Sequence, residues 1–557
     1  MRRCLLLLCL LLAGQIGGIS LAQDGRSDRQ ARKRDVSAVA PRPVDADEQR
    51  LRQNVLRIEI PVFEDDLPFS VLPLAQLGVA VVTNQNELGQ SAPRRSIAFY
   101  DENLQLRWKT AVEIAAEYQY LGYRAGEDSL YFALSCLPHY KSQYPLASLT
   151  VCLADGAWRL TYRPVELPPK LEILSMQMRE DGWGWLALDK DEYVWFYLPV
   201  HDTAADSLTT EKPLRMPLGL DNRREWCHIA TDSATVYTLF RDRKLRMPGL
   251  TLCRHGWQDV PPATFDLLPP DENLRLVDAK LSVLPDGRLW VGGTYHLSRE
   301  KQTVSPYDRG SETTGLFAAL YDRAANTADA PRRLTFWKRA YYDFPDLENR
   351  LSREAWYDLQ RAQEKSKGRT VIPTFTTQIR AGQTPATAQL YVLGEVYTRA
   401  LQTTTEMYYD AYGRMVPYTR TYFEGFRFRD GFLARFDSLG HAVSESIFDL
   451  DRNRLYNELT DYSQWATDTD GRTLYFYPDD DRLTYRVLEA VRGTSGEPAV
   501  FSLPPLFQYD KVQKSWGGVL TPWYGRHYLV SGYQQIRNTR LGNGRRDVFY
   551  LQKITVE

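Results

Sequence analysis

The chain has 557 residues, with 69 basic and 70 acidic side chains, and 43% of its residues are hydrophobic. This composition excludes a disordered, collagen-like or coiled-coil chain. The formal net charge of −1 argues against nucleic acid as the main partner. A chain of this length buries about three quarters of its unfolded surface, which is enough for one closed repeat array or for several domains.

The first 22 residues have the three regions of a secretory signal peptide. Two arginines follow Met1, an apolar run covers Leu5–Ala13, and a small-residue site ends at Ala22. The run is shorter than the roughly 20 residues of a membrane-spanning helix. We therefore predict cleavage before Gln23, a periplasmic or secreted location, and a mature chain without a transmembrane segment. Residues 23–54 are rich in Arg, Asp, Ala and Pro and are predicted to be a disordered linker.

A strand pattern recurs after the linker. A turn containing Asp or Gly is followed by an alternating apolar run that ends on an aromatic or branched residue, which we call the anchor. Most successive anchors are about 50 residues apart, and such fixed spacing in a strand-rich chain indicates the blades of a propeller. The anchors are Val81, Tyr131, Trp185, Tyr237, Trp290, Tyr391, Tyr475 and Tyr528.

We therefore predict an all-β fold over 55–557, a β-propeller with eight four-stranded blades, or seven if one anchor is false. Val55–Phe63 is a strand left over at the start, and the last unit, ending at Val548–Val556, lacks an outer strand. The ring closes if the first segment supplies that strand, because closure removes exposed sheet edges. The anchor aromatics are expected to pack between blades.

Two anchor spacings are long, and each contains an insertion. The first, near 343–368, places Leu351, Ala355 and Leu359 on one face of a helix that Gly368 can end. The second, near 399–424, is rich in tyrosine and is predicted to be an extended hairpin. Insertions in repeat arrays lie in loops, often on the binding face.

The tyrosine-rich insertion supplies the candidate binding residues. Tyr and Arg are enriched where proteins contact partners, and tyrosine rings can also stack on sugars. The alternative is a hairpin whose tyrosines cover the ring surface, since strands favour Tyr in any case. The candidate binding residues are Tyr408, Tyr409, Tyr412, Arg414, Tyr418, Arg420 and Tyr422.

Four cysteines remain after signal cleavage: Cys136, Cys152, Cys227 and Cys253. An even number in an exported chain allows disulfides, with three connectivities. Buried free thiols are the alternative, because Cys is a common core residue. The sequence leaves both open.

Catalytic and metal-binding motifs are not found. The sequence has no H-E-x-x-H, no G-x-S-x-G and no P-loop, and its seven histidines are scattered. We predict no catalytic residue, metal or cofactor. Carboxylates at a propeller channel keep a glycan hydrolase or lyase open as an alternative.

Two parts of the chain carry a family resemblance. Leu390–Tyr397 with Gly431–Gly440, and Trp290–Tyr295 with Gly315–Asp322, resemble uncharacterised exported β-propeller-like envelope proteins of Bacteroidota-type bacteria. The resemblance covers the middle third of the chain. It implies a bacterial envelope setting and brings no known activity.

Together these observations predict an exported, non-catalytic and monomeric propeller that binds an envelope protein or a glycan. The alternatives are the glycan-active enzyme and a structural assembly scaffold. The binding protein and the enzyme can be distinguished by whether the mouth of the propeller channel gathers buried carboxylates or histidines, as an enzyme would require.

Overall fold

The computed structural model describes most of the chain after the linker. The described residues are 56–62, 69–85, 94–115, 118–136, 145–168, 171–199, 212–242, 249–258, 260–267, 269, 273–297, 302–304, 313–321, 336–343, 351, 353–367, 371–383, 389–409, 412–450, 455–456, 459, 462–467, 473–479, 482–488, 499–507, 509–538 and 545–555. The predicted signal peptide, 1–22, and linker, 23–54, lie outside them. No helix within these ranges has the length and apolar character needed to cross a membrane.

The described residues form 34 strands and eight four-stranded antiparallel sheets. The first strand is β1 (Arg57–Pro61). Sheet I contains β2 (Ser70–Pro73), β3 (Val79–Gln85), β4 (Arg94–Tyr100) and β5 (Leu106–Glu113). Sheet II contains β6 (Tyr118–Ala125), β7 (Ser129–Cys136), β8 (Leu146–Cys152) and β9 (Trp158–Arg163).

Sheets III to V follow in chain order. Sheet III contains β10 (Glu172–Met178), β11 (Gly182–Asp189), β12 (Glu192–Pro199) and β13 (Leu214–Asp221). Sheet IV contains β14 (Arg224–Thr231), β15 (Thr235–Asp242), β16 (Leu250–Gly256) and β17 (Ala263–Leu267). Sheet V contains β18 (Leu274–Val283), β19 (Leu289–Leu297), β21 (Gly315–Tyr321) and β22 (Phe336–Asp343). The short strand β20 (Gln302–Val304) lies in the connection from β19 to β21 and is not part of this sheet.

The helix α1 (Arg353–Lys365) and the short strand β23 (Val371–Pro373) precede sheet VI. Sheet VI contains β24 (Thr377–Gln383), β25 (Leu390–Tyr409), β26 (Met415–Phe436) and β27 (Ala442–Asp449). Sheet VII contains β28 (Gln464–Thr467), β29 (Thr473–Asp479), β30 (Arg482–Leu488) and β31 (Ala499–Ser502). Sheet VIII contains β32 (Asp510–Pro522), β33 (His527–Asn538) and β34 (Arg545–Thr555), and β1 is its fourth strand.

The anchors predicted from the sequence coincide with this arrangement. Each of the eight lies in the second strand of a different sheet, from Val81 in β3 to Tyr528 in β33. The helix predicted within 343–368 is present as α1, and the predicted hairpin is β25 and β26. The leftover segment at the start contains β1, which pairs antiparallel with β34.

Consecutive sheets are joined by buried hydrophobic clusters, which we call seams. Seven seams join sheets I to VIII in chain order. The eighth joins sheet VIII back to sheet I, through residues that include Val81 and Phe549. A sheet with seams on both faces needs nearly continuous apolar strands, as in Trp183–Ala187, where all five residues are buried.

Aromatic side chains fill the seams, and glycines make room for them. Trp185, Trp290 and Tyr475 are at most 1% exposed and belong to three different seams. Tyr391 is half-buried and packs against the same seam as Tyr475, where its ring meets that of Trp465. A Cβ atom at Gly184 would collide with the Trp195 ring. The expectation that anchor aromatics pack between sheets therefore describes these four residues.

The first and fourth strands of the sheets have different surroundings. Fourth strands such as β5 and β13 alternate exposed and buried residues, as expected for an outer edge. First strands contact the first strands of neighbouring sheets, β6 with β10 and β14 with β18. Four successive first strands, β6, β10, β14 and β18, carry a bulge that interrupts the register with the second strand.

A buried charge network fixes β1 in sheet VIII. Glu59 Oε1 accepts from Arg57 Nε at 3.0 Å and from the Leu506 backbone N–H at 2.9 Å, and Glu59 Oε2 accepts from Arg546 Nη2 at 2.6 Å. The Arg57 and Glu59 side chains are 0% and 4% exposed. Arg546 also pairs with Asp510 on β32, so the network crosses the whole sheet.

Replacing Glu59 tests how strongly this network holds the sheet. We expect Glu59→Gln to lower the free energy of unfolding by about 3 kcal/mol, because the buried Arg57 guanidinium loses its counter-charge and Arg546 keeps only Asp510. Urea unfolding followed by tryptophan fluorescence measures the change. Glu127→Gln, at an exposed turn position, is the matched control and should have little effect. Equal free energies of unfolding for the two variants would contradict a stabilising role of the Glu59 network.

Candidate functional site

Strand direction determines at which end of the strands the insertions lie. Within an antiparallel sheet, the connection from second to third strand and the connection leaving the fourth strand lie at the same end of the strands. The first kind of connection in sheet V contains β20, and the connection from sheet V to sheet VI contains α1 and β23. Parallel pairing of β20 with β23 and the bridge between Thr313 and Phe375 bring the two connections together. We call this end of the strands, with its connections, the insertion edge.

The long hairpin of sheet VI extends from the same edge, because β25 and β26 are its second and third strands. β24 pairs with β25 only as far as Val396, and β27 pairs with β26 only from Asp430. Residues 401–409 and 415–423 continue beyond them as nine cross-strand pairs. This segment, 401–423, is the ribbon, and at about 3.4 Å per residue its strands extend about 30 Å.

The base of the ribbon is held by backbone contacts. Gly425 has a φ of +147°, and a Cβ there would collide with the Tyr456 carbonyl oxygen. The neighbouring Phe426 exchanges two backbone hydrogen bonds with Tyr456, at 2.7 and 2.8 Å. Tyr456 lies in the connection between sheets VI and VII, so the ribbon leaves the insertion edge from a fixed point.

The ribbon has two chemically different faces. Residues directly opposite in an antiparallel pair share a face, and faces alternate along each strand. The Tyr face contains Gln402, Thr404, Glu406, Tyr408, Val416, Tyr418, Arg420 and Tyr422. The Thr face contains Leu401, Thr403, Thr405, Met407, Tyr409, Met415, Pro417, Thr419, Thr421 and Phe423.

On the Tyr face the aromatic rings form a row with a guanidinium group. The rings of Tyr408 and Tyr418 meet edge to face with centroids 5.9 Å apart, and Arg420 Cζ lies 4.7 Å from the Tyr418 centroid. Hydrogen bonds to Tyr422 and then to Tyr418 raise the pKa of Arg420. The three tyrosines are 44–50% exposed. The row therefore presents ring surface and a permanent positive charge to solvent.

On the Thr face the hydroxyl groups form a ladder between apolar ends. Thr403 and Thr421 Oγ1 atoms are 3.2 Å apart, and those of Thr405 and Thr419 are 3.1 Å apart. Leu401 and Phe423 lie at the base of this face, and Met407, Tyr409 and Met415 lie toward its tip. These five side chains are 51–69% exposed.

The structure brings together four of the seven candidate binding residues, Tyr408, Tyr418, Arg420 and Tyr422. Tyr409 lies on the Thr face, and Tyr412 and Arg414 belong to the turn, where Arg414 Cζ is 5.7 Å from the Tyr412 centroid. The interpretation that the hairpin tyrosines cover the surface of the sheets is wrong for the ribbon, because its tyrosines are 44–83% exposed. The methionines and the threonine ladder are not among the residues predicted from the sequence, although strict alternation in the two strands separates the faces.

A second cluster of charged residues lies on the first strands of sheets IV and V. Glu225 and Cys227 belong to β14, and Asp278 and Lys280 belong to β18. Arg241 Nη2 donates to Glu225 Oε2 at 2.9 Å. Burial, and after it the Asp278 charge, raise the pKa of Cys227 to about 12. The thiol therefore stays protonated and is not an activated nucleophile.

The four cysteines of the described chain are free thiols. Cys152 is opposite Ser129 in sheet II, whereas Cys136 lies at the other end of β7, about 23 Å along the strand. Cys227 and Cys253 lie on β14 and β16, which flank β15, so their Cα atoms are about 9–10 Å apart. A disulfide needs Cα atoms within about 7 Å. The disulfide alternative is therefore wrong for these pairs, and the free-thiol alternative describes them.

Sheet IV contains one buried histidine, His255, and one half-buried histidine, His228. His255 is 0% exposed, its ring centroid is 5.1 Å from that of Trp195, and its Nδ1 atom is 2.7 Å from the Gly256 carbonyl oxygen. Burial lowers the pKa of His255 to about 4 and that of His228 to about 3. Across the ranges that the structure describes, no group of three or more His, Cys, Asp or Glu side chains is placed to hold a metal ion.

Comparison with known proteins gives only distant similarities. No family model and no curated protein matches the chain. The polysaccharide lyase Uly1 aligns over 85% of this chain and 94% of its own, at 10% identity and a TM-score of 0.40. A prolyl endopeptidase aligns over 88% of this chain and 57% of its own (8% identity, TM-score 0.33). An apocarotenoid oxygenase of Synechocystis aligns over 49% and 64% (7% identity, TM-score 0.28). Similarity at this level does not extend to any activity.

The buried His255 predicts an acid-sensitive fold. The pKa of His255 is lowered on folding, so only the unfolded chain takes up a proton at this ring between about pH 6.5 and about pH 4. As the pH is lowered through this window, the free energy of unfolding should therefore fall, by up to about 1.4 kcal/mol per pH unit for this residue. His255→Gln should flatten the dependence, whereas His441→Gln, at an exposed turn position where the ring pairs with Asp437, should not flatten it. Urea unfolding at a series of pH values measures it, and equal slopes for the natural chain and His255→Gln would contradict the prediction.

Proposed function

We propose that the eight sheets are the blades of a closed β-propeller and that β1 completes the last blade. The cyclic order of the eight seams supports eight blades over seven, since the last sheet packs against the first. Pairing of β1 with β34 supports closure by the start of the folded chain. First strands that contact each other support an arrangement around an axis.

On this ring, we propose a binding protein exported to the bacterial envelope, whose partner is captured by the ribbon. The observation that carries the proposal is the exposed row of Tyr408, Tyr418, Arg420 and Tyr422 on a fixed, two-stranded support. Contiguous exposed apolar surface is costly in a monomer and marks interaction sites. Export rests on the signal peptide predicted from the sequence.

The chemistry of the Tyr face limits the kind of partner. Tyrosine rings offer a flat apolar surface with polar ends, and Arg420 offers a charge that does not depend on pH. A glycan or a protein surface that places an anionic group beside an apolar patch would match both features. The Tyr face carries one basic and one acidic side chain, Arg420 and Glu406, and this balance disfavours a partner of high net charge of either sign.

Substitutions on the two faces test the proposal. The probes are purified envelope polysaccharides and solubilised envelope proteins, and binding to the immobilised mature chain is measured by biolayer interferometry. The triple variant Tyr418→Ala, Arg420→Ala, Tyr422→Ala should weaken capture about tenfold or more, because truncated aromatic and arginine contacts dominate binding energy. Replacing 401–423 by Asn-Gly should abolish it.

The matched control is the triple variant Thr403→Ala, Thr419→Ala, Thr421→Ala on the Thr face of the same strands. It should keep capture within a factor of about two, because small hydroxyl groups rarely carry binding energy. Unchanged capture by the Tyr-face variant, with circular dichroism showing an intact fold, would remove the ribbon from the function.

A glycan-active enzyme is the second candidate, and the first-strand cluster favours it. Glu225 and Asp278 are half-buried on neighbouring strands, and both charges act on Cys227. On the proposed ring this cluster faces the axis, where a sugar chain could reach it. Turnover on a polysaccharide panel that is lost in both Glu225→Gln and Asp278→Asn would reverse the ranking of the two functions. Lys190→Gln, at an exposed turn, is the control that should leave any turnover unchanged.

A further inference from the structure

The ribbon has two backbone edges, and they differ. Across the ribbon, β25 pairs only with β26, and no other described strand lies beside residues 401–409. An unpaired edge presents a row of backbone N–H and C=O groups that can accept another strand. Isolated two-stranded ribbons are marginally stable in water, and additional strands stabilise them.

Pro417 shows which residues point their backbone groups outward. Proline has no N–H to donate, so within a sheet its nitrogen faces the open edge. Pro417 is opposite Met407, and pairs alternate between hydrogen-bonded and non-hydrogen-bonded along the strands. The odd-numbered residues from Leu401 to Tyr409 therefore direct their N–H and C=O groups away from β26.

Only one of the two edges is protected. Pro417 interrupts the edge of β26, a common way to block strand addition, and Arg420 adds a charge to that strand. The β25 edge, Leu-Gln-Thr-Thr-Thr-Glu-Met-Tyr-Tyr over 401–409, contains no proline and no glycine. It is rich in β-branched and aromatic residues and has a single charge, Glu406, which is the composition of a segment that pairs readily with other strands.

We propose that a second copy of this chain occupies the β25 edge, pairing antiparallel through a two-fold axis at Thr405. In this register the two Thr405 residues are opposite each other, Thr403 is opposite Met407, and Leu401 is opposite Tyr409. Every odd-numbered residue of the segment gains both of its backbone hydrogen bonds. Two ribbons become one four-stranded sheet.

The segment itself favours a second copy over a different protein, because it is complementary to itself. With the axis at Thr405, all nine residues from Leu401 to Tyr409 are paired. The single charge, Glu406, is opposite Thr404, so no like charges meet, whereas an axis at Glu406 would oppose two carboxylates. Such isologous contacts close after two copies and do not propagate into fibres.

The dimer joins the two Tyr faces on one side of the sheet, since residues opposite in antiparallel strands share a face. The inference does not rest on the proposed function: it uses the edge of the ribbon, whereas capture uses its Tyr face. It replaces the expectation from the sequence that the ring is monomeric.

A proline at the axis tests the edge. The mature chain should sediment as a dimer in analytical ultracentrifugation, and Thr405→Pro should sediment as a monomer, because the proline removes an outward N–H. The ribbon should survive this change, as it accommodates Pro417 at an equivalent outward position. Thr419→Pro is the matched control: it is directly opposite Thr405 but on the other edge, and it should remain dimeric.

Cysteine cross-linking tests the register. Under mild oxidation Thr405→Cys should give a disulfide-linked dimer, because opposite residues in a hydrogen-bonded pair have Cα atoms about 5.5 Å apart. Thr404→Cys should not, since its own counterpart in the second copy is displaced along the strand, about 8–9 Å away.

A natural chain that is monomeric at every concentration, or a dimer that persists in Thr405→Pro, would overturn the inference. Equal cross-linking of Thr405→Cys and Thr404→Cys would overturn the register. Capture by the Tyr face is measured separately, so loss of dimer with intact capture counts only against the dimer, and the reverse counts only against the proposed function.

Discussion

The architecture depends on one constraint, that the sheets are apolar on both faces. Strands such as β11 and β12 bury nearly every residue, so a sheet built from them is unstable unless another sheet covers each face. In a linear stack the first and last sheets would each leave one face in water. The seam between sheets VIII and I removes that cost, and the network of Glu59 with Arg57 and Arg546 fixes the strand that completes the last sheet.

The ribbon is built from the same residue types in the opposite situation. Its tyrosines and threonines favour strands as those of the sheets do, but no described sheet covers either face. Local propensity therefore accounts for the ribbon being a hairpin and not for what it does. What the ribbon can do follows from its position, because the kind of surface that forms a seam within the sheets is exposed at the insertion edge.

Features that depend on local pattern could be predicted from the sequence, and those that depend on distant pairs could not. The anchors repeat because each second strand has the same surroundings, so Trp185, Trp290 and Tyr475 identify their sheets by spacing alone. The helix α1 and the leftover strand containing β1 are equally local. Two of the partners of Glu59, Leu506 and Arg546, lie more than 400 residues away, so no pattern near Glu59 predicts them. The bulge at Cys227 and the split of the seven candidate residues between two faces and a turn likewise depend on register.

Several buried charges in the described part of this protein are paired with opposite charges, and this bears on where its function lies. Glu395 is fully buried and accepts hydrogen bonds from Arg380 at 2.7 Å and from the Ser463 hydroxyl at 2.5 Å, which joins sheet VI to the segment before sheet VII. Asp510 is held by Arg546 and Asn538. The paired arginine favours the ionised form of each carboxylate, although burial raises the pKa of Asp510. Such groups hold sheets in register, whereas Arg420 on the ribbon is hydrogen-bonded only to neutral tyrosine hydroxyls in the contacts described above and keeps its charge available to a partner. The distribution of charge thus separates a body in which ionic groups stabilise the fold from a ribbon in which they can be used for recognition.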